Sequence, residues 1–237
     1  MTRYAQLFLA PLLAGALCAQ ILEIPYNSAP DLLTLPEHIH MGEAVGVATN
    51  SKGNIFVYTR TGSSNATMGG SRTFTHGGAR LFEFSPSGSF VREIGQGVYA
   101  FLFAHVVRVD PQDNIWVVDE GSSMIVKFNP QGRIVMTMGR KPEAVPVPAP
   151  EHKAQSGAGV GGDNFNRPTD VAWDSNGNIF ISDGYGNSRV AKFDKNGKFI
   201  NSWGSRGTAN GQFKPPHASA NLPKGTASGT TPGTQQL

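Results

Sequence analysis

The sequence predicts an all-β chain built as a β-propeller, with about three blades and the start of a fourth. Three observations carry this. Short runs rich in Val, Ile, Phe and Trp alternate with clusters of Gly, Asn, Asp and Ser, the pattern of strands joined by tight turns. The pattern recurs three times with fixed internal spacing. Of the 237 residues, 29 are Gly and 16 are Pro while only 16% are charged, a balance that suits a turn-dense chain long enough to bury a core.

The unit is clearest between Asn166 and Gly204. Its apolar runs are Val171–Trp173, Ile179–Ile181, Val190–Phe193 and Phe199–Trp203. Asp174–Gly177, Asp183–Asn187 and Asp194–Gly197 separate them. The steps Asn176-Gly177 and Asn196-Gly197 are expected to supply the positive φ angles of tight hairpins. Four runs joined by three turns make an antiparallel meander, which is one propeller blade.

The copies align on an Asn that opens the second strand. Asn54-Ile55-Phe56-Val57 matches Asn114-Ile115-Trp116-Val117 and Asn178-Ile179-Phe180-Ile181. Val47, Val107 and Val171 each stand seven residues before that Asn. Phe84, Phe128 and Phe193 each open a turn ending in Gly, and a second Gly follows each Phe by eleven residues. The blades fall at about 45–95, 104–139 and 168–204, within a propeller spanning 45–217. A lead-in segment covers 20–44. Thr61–Ala79 reads as an insertion in the first copy, and Glu143–Gly162 as an irregular Pro/Ala/Gly linker. Gly211-Gln212-Phe213 leading to Pro216-His217 opens a fourth copy. Residues 218–237 have almost no apolar content and are expected to be disordered. Three blades are too few to close the usual ring, because open blades leave bare edges and apolar faces. The sequence therefore reads as a fragment of a longer protein, or as one of several copies that complete a ring together.

At the N-terminus, Arg3 precedes the apolar run Leu7–Leu17 and the small residues Cys18-Ala19. Residues 1–19 read as a signal peptide, which implies a secreted or periplasmic protein with no stable membrane span after cleavage. Cys18 is the single cysteine, so the mature chain is expected to have no disulfide. The net charge is +3, with no basic run dense enough for nucleic acid.

Chemistry is expected where strand ends meet at one mouth. His105 precedes the first strand of the second copy, and His217 takes the equivalent place in the fourth, where the first and third copies have Val45 and Thr169. Two imidazoles aimed at one axis suit a metal such as zinc; each also suits a plain hydrogen-bonding role. Arg60 ends the second strand of the first copy, where the other copies have Glu120 and Gly184. It reads either as a surface ion pair or as a fork for an anionic group. Tyr185 reads as a turn aromatic or, beside a cation, as a proton acceptor. Asp119 and Asp183 share one register and are expected to brace turns. Asn65-Ala66-Thr67 matches a glycosylation sequon.

Val57-Tyr58-Thr59-Arg60, Phe103-Ala104-His105, Arg167-Pro168-Thr169-Asp170-Val171-Ala172, Asp183-Gly184-Tyr185-Gly186-Asn187-Ser188-Arg189 and Pro216-His217 carry a resemblance. The copies resemble NHL repeats, and the chain is similar to the peptidyl-α-hydroxyglycine α-amidating lyase family, a six-bladed propeller. The resemblance implies zinc-dependent cleavage of a peptidyl-α-hydroxyglycine to a peptide amide and glyoxylate. It implies His105 and His217 as zinc ligands, Tyr185 as the catalytic tyrosine and Arg60 as an active-site arginine. It also implies a structural calcium held partly by the main-chain carbonyls of Val47 and Val107. The family's third histidine, second arginine and side-chain calcium ligand belong to further blades. A peptide or small molecule is then the expected substrate. The alternative is a non-catalytic NHL binding module of the cell envelope that takes a protein partner on the propeller face.

Overall fold

The computed structural model describes residues 25–61, 65–68, 72–75, 78–141, 161–221 and 227–230, with the backbone alone for 65–68, 72–75, 219–221 and 227–230. The expected signal peptide and most of the linker lie outside the described residues. The chain divides after Pro30. Residues 25–30 carry no helix or strand; every strand and contact described below belongs to the second unit.

The first sheet comprises β1 (Glu43–Thr49) and β2 (Ile55–Arg60), then, after a separate hairpin of β3 (Asn65–Met68) and β4 (Arg72–Thr75), β5 (Ala79–Phe84) and β6 (Phe90–Ile94), in the order β1-β2-β5-β6. The second holds β7 (Ala104–Val109), β8 (Ile115–Asp119), β9 (Met124–Phe128) and β10 (Ile134–Gly139). The third holds β11 (Asp170–Trp173), β12 (Ile179–Asp183), β13 (Arg189–Phe193) and β14 (Phe199–Trp203). Each is an antiparallel meander. A final pair, β15 (Ala218–Asn221) and β16 (Ala227–Thr230), follows. The fold is thus all-β: three blades of a propeller and the start of a fourth.

The insertion Thr61–Ala79 contains the β3–β4 hairpin. The run from residue 218, read from composition as disordered, carries β15 and β16. Composition reports whether a segment can build its own core. β15 instead lies against β11 and β12, so a neighbouring sheet supplies its packing surface.

The first hairpin turn of each sheet is an aspartate- or asparagine-braced turn. Asp174 Oδ1 accepts from the Asn176 and Asn178 main-chain N–H groups, both at 2.9 Å. Asp110 and Asn50 do the same in the other two copies. The Gly177 N–H closes onto the Asp174 carbonyl at 3.0 Å, with Gly177 at φ 80°. Only the glycine takes positive φ. Asn176 does not, so the turn is of type I with a left-handed final residue, and the positive φ expected of the Asn-Gly step falls on its glycine. In the second copy Asp113 holds that position at φ 61°. Its carboxylate accepts from Ser51 N and Oγ at 2.8 and 2.6 Å, tying the first sheet's turn to the second's.

Both faces of the middle strands are buried, and the period of two sorts them. Phe56 and Tyr58 of β2 pack with Ile115 and Val117 of β8 and with Phe101 and Phe128, between the first and second sheets. Trp116 and Val118, on the other face of β8, pack with Ile179 and Ile181 of β12, between the second and third. Phe180 turns away from them onto Val190 and Phe213. Lead-in residues Leu33, Leu35, Ile39 and Met41 cover Val57, Phe82 and Phe84 on the outer face of the first sheet. Against this packing, β1 lies beside β7, β7 touches β11, and β11 lies beside β15. The first strands of successive sheets are therefore neighbours, and their starting ends come together.

Candidate functional site

That convergence builds the site. β7 opens with a register shift between Ala104 and Val106, so His105 is the extra residue of a bulge rather than a residue ahead of the strand. β1 carries the same irregularity between Ala44 and Gly46, placing Val45 at the corresponding point. A bulge re-aims the side chain it carries. His217 immediately precedes β15. Thr169 Oγ1 donates at 2.8 Å to the Pro216 carbonyl, pinning the segment that ends in His217. Gly184 allows the close approach: a Cβ there would lie 2.3 Å from the Pro216 oxygen. Tyr185 follows Gly184 in the turn after β12.

The three side chains meet. The Tyr185 hydroxyl lies 2.5 Å from His217 Nε2. The ring centroids of His105 and His217 are 5.1 Å apart, those of Tyr185 and His217 are 5.1 Å apart, and those of His105 and Tyr185 are 6.0 Å apart. Arg60 sits at the edge of this group. Its Nε donates to the Ala104 carbonyl at 2.8 Å, its guanidinium lies 3.7 Å over the Phe103 ring, and Nη1 stands 3.6 Å from Glu43.

Three charged groups to which the sequence alone gives no role at the site also stand here. Arg167 lies 4.6 Å over the Tyr185 ring. Its Nε donates to Glu120 Oε1 at 2.8 Å, and Nη2 reaches the same oxygen. Arg206 Nη2 donates to the Tyr185 carbonyl at 3.0 Å. Arg167 opens the Pro-Thr-Asp stretch that carries part of the resemblance. Its backbone takes the left-handed region at φ 60°, which no periodicity reports.

Burial lowers the His105 imidazole from its ordinary pKa, and the His217 and Arg60 charges add to this; the Glu120 carboxylate and the Thr169 main chain oppose it. This favours the neutral imidazole, the form that ligates metals. Burial and Glu120 raise the Tyr185 phenol, against Arg167 and Arg60. Nδ1 of His105 is buried with no hydrogen-bond partner among the described residues. An orphaned nitrogen on an imidazole whose ring centroid lies 5.1 Å from that of a second imidazole suits a zinc-type ion with nitrogen ligands. Among the described residues no group of three or more His, Cys, Asp or Glu could hold a metal, so the fit rests on two imidazoles and the phenol. Val47 and Val107 lie in the adjacent strands β1 and β7, paired to Val57 and Val117.

The two aspartates brace turns, as expected of them. Asp119 accepts from the main-chain N–H groups of Leu102, Phe103 and Ser122 and from the Tyr58 hydroxyl. Asp183 accepts from Asn166 N, Asn187 Nδ2 and Arg189 Nε. At the opposite ends of the second and third sheets, a cleft of about 420 Å³ is lined by Trp116, Trp173, Asp110 and Asp174.

An NHL repeat model matches residues 165–193. The chain is 30% identical over 168 residues to a probable peptidyl-alpha-hydroxyglycine alpha-amidating lyase of Caenorhabditis elegans, covering 68% of this chain and 43% of that protein. It is 34% identical over 107 residues to peptidyl-alpha-hydroxyglycine alpha-amidating lyase 1 of Drosophila melanogaster, with 44% and 17% covered. To the peptidyl-glycine alpha-amidating monooxygenase of Mus musculus it is 32% identical over 134 residues, with 54% and 12% covered. The chain thus spans less than half the length of these relatives. A streptogramin B lyase structure matches with TM-score 0.52 at 14% identity, covering 81% of this chain and 49% of that one, a likeness of fold alone. No helix among the described residues is long and apolar enough to cross a membrane. The chain has a propeller fold, matches an NHL repeat over residues 165–193, and resembles the peptidyl-α-hydroxyglycine α-amidating lyases.

Proposed function

We propose that the His105–His217–Tyr185 cluster is a lyase centre that cleaves a peptidyl-α-hydroxyglycine to a peptide amide and glyoxylate. The observation that carries this is the meeting of these three side chains, each from a different sheet or its edge, on residues that the resemblance assigns to the reaction. As the carbonyl of glyoxylate forms, the substrate hydroxyl proton passes to the Tyr185 oxygen while the phenol's own proton passes to the nitrogen, on which the breaking N–C bond leaves its electron pair; that nitrogen becomes the amide and Tyr185 ends as it began. Arg60, 2.8 Å from the Ala104 carbonyl beside His105, stands where it can hold negative charge on the substrate. His105 and His217 would hold zinc, which supplies Lewis-acid polarisation of the substrate when bound. A calcium ion on the Val47 and Val107 carbonyls, bracing the neighbouring first strands, belongs to the same reading. So does export, on the strength of Arg3 and the run Leu7–Leu17.

The test is glyoxylate release from an α-hydroxyglycine peptide together with metal analysis of the purified protein. Expected are bound zinc, activity lost on chelation, and recovery when zinc is returned. A protein with neither zinc nor glyoxylate release overturns the lyase and leaves an NHL-type binding module.

A further inference from the structure

We propose that Arg167, gripped by Glu120, is the positioning residue for Tyr185 and holds the phenol against the imidazole pair. This rests on the reading of Tyr185 as the reacting group.

Arg167 is a long side chain at φ 60°, directly before Pro168, where steric conflict normally favours extended backbone. Such a conformation costs on the order of 1–3 kcal/mol and persists only where the surroundings over-determine it. Here they do. The Arg167 N–H donates to Ser123 Oγ at 3.1 Å, and Ser123 is itself left-handed at φ 56°. The Arg167 carbonyl accepts from Tyr185 N at 3.3 Å, and the Asn166 carbonyl accepts from Gly186 N at 3.0 Å. The Tyr185 turn is thus sewn to the Arg167 turn through its main chain.

The side chain adds the second hold. Glu120 is 7% exposed and receives both Nε and Nη2 of Arg167 on one oxygen. That fixes the guanidinium plane over the Tyr185 ring at 4.6 Å. The Arg167 side chain is 57% exposed. An ion pair so open to water contributes about 0–1 kcal/mol, less than the backbone strain. The main-chain bonds hold the strained turn, and what the ion pair adds is a fixed guanidinium over the Tyr185 ring. Arg60, by contrast, is engaged with Ala104, Phe103 and Glu43, none of them the phenol.

The chain holds five tyrosines, so a ¹H–¹³C spectrum of ring-labelled tyrosine resolves each, and Tyr185→Phe identifies the Tyr185 signal. In Arg167→Ala that signal should move and broaden while the other four stay. Turnover should fall about tenfold to a hundredfold with KM within about twofold, as a misplaced reactive group requires. Arg167→Lys keeps a cation over the ring without the fork, and should recover part of the loss. Glu120→Gln keeps the shape, and is the second variant should Arg167→Ala fail to fold; it should move the same signal. An unmoved Tyr185 signal overturns the inference, whatever turnover does. A wild-type chain that releases no glyoxylate ends the lyase reading, while the ring signal still decides the clamp.

Discussion

On the proposed lyase reading, Tyr185 and the two imidazoles are the smallest scale at which function is decided. A phenol within 2.5 Å of an imidazole nitrogen has one partner already in place for a shared proton. Tyr185→Phe removes only that oxygen. Proton transfer by a positioned side chain contributes roughly 10²–10⁴-fold, so glyoxylate release should fall at least about a hundredfold with the thermal midpoint nearly unchanged. If zinc is held as proposed, His217→Ala should likewise lower glyoxylate release and also lower the zinc content found by metal analysis. His105 and His217 were legible as candidates because histidine recurs at one register. Glu120 and Arg167 were not, because their roles depend on a carboxylate and a guanidinium brought together across 47 residues of chain.

Elements decide how those residues are presented. The turn after β12 can approach Pro216 only because position 184 lacks a Cβ. Gly184→Ala should force the two segments apart at a cost of about 1–3 kcal/mol, the range for overpacking. It should also lower turnover, since the displaced segment carries His217; chemical denaturation and glyoxylate release check the two effects separately. The braced turns are a second element-scale device. Burial pushes the Asp174 carboxyl up, but its bonds to Asn178 and to the Asn176 N–H, with Lys192 nearby, outweigh that and leave it below the usual carboxylate range. A carboxyl whose folded pKa is depressed stabilises above its unfolded pKa, and that stability is lost as pH falls through the folded value. Asp174→Ala should therefore flatten the acid limb of a stability-against-pH curve. At neutral pH it should cost about 1 kcal/mol for the lost turn bonds. Strand runs and turn positions were readable from residue types alone. The bulge at His105 was not, because nothing in Phe103-Ala104-His105 distinguishes an extra residue from a strand's first residue.

At the scale of the whole molecule, two interfaces between neighbouring sheets hold the site's parts in register. Phe128 is fully buried between the first and second sheets, with Phe101 6.0 Å away centroid to centroid. Phe128→Ala should cost about 3–5 kcal/mol, a large fraction of a domain's total stability, visible as a lowered urea midpoint. It should loosen the placement of β7 against β1 and so reach His105 without touching it. By itself the sequence determined the class of fold, the blade unit and the residues worth watching, because period-two alternation and turn chemistry are local. Only the tertiary structure decided that His105, His217 and Tyr185 share one mouth, that Arg167 rather than Arg60 meets the phenol, and that residues after 217 pair as strands. Each of these depends on contacts between segments far apart in the chain, where neighbouring sheets supply the surface, and no local pattern encodes that.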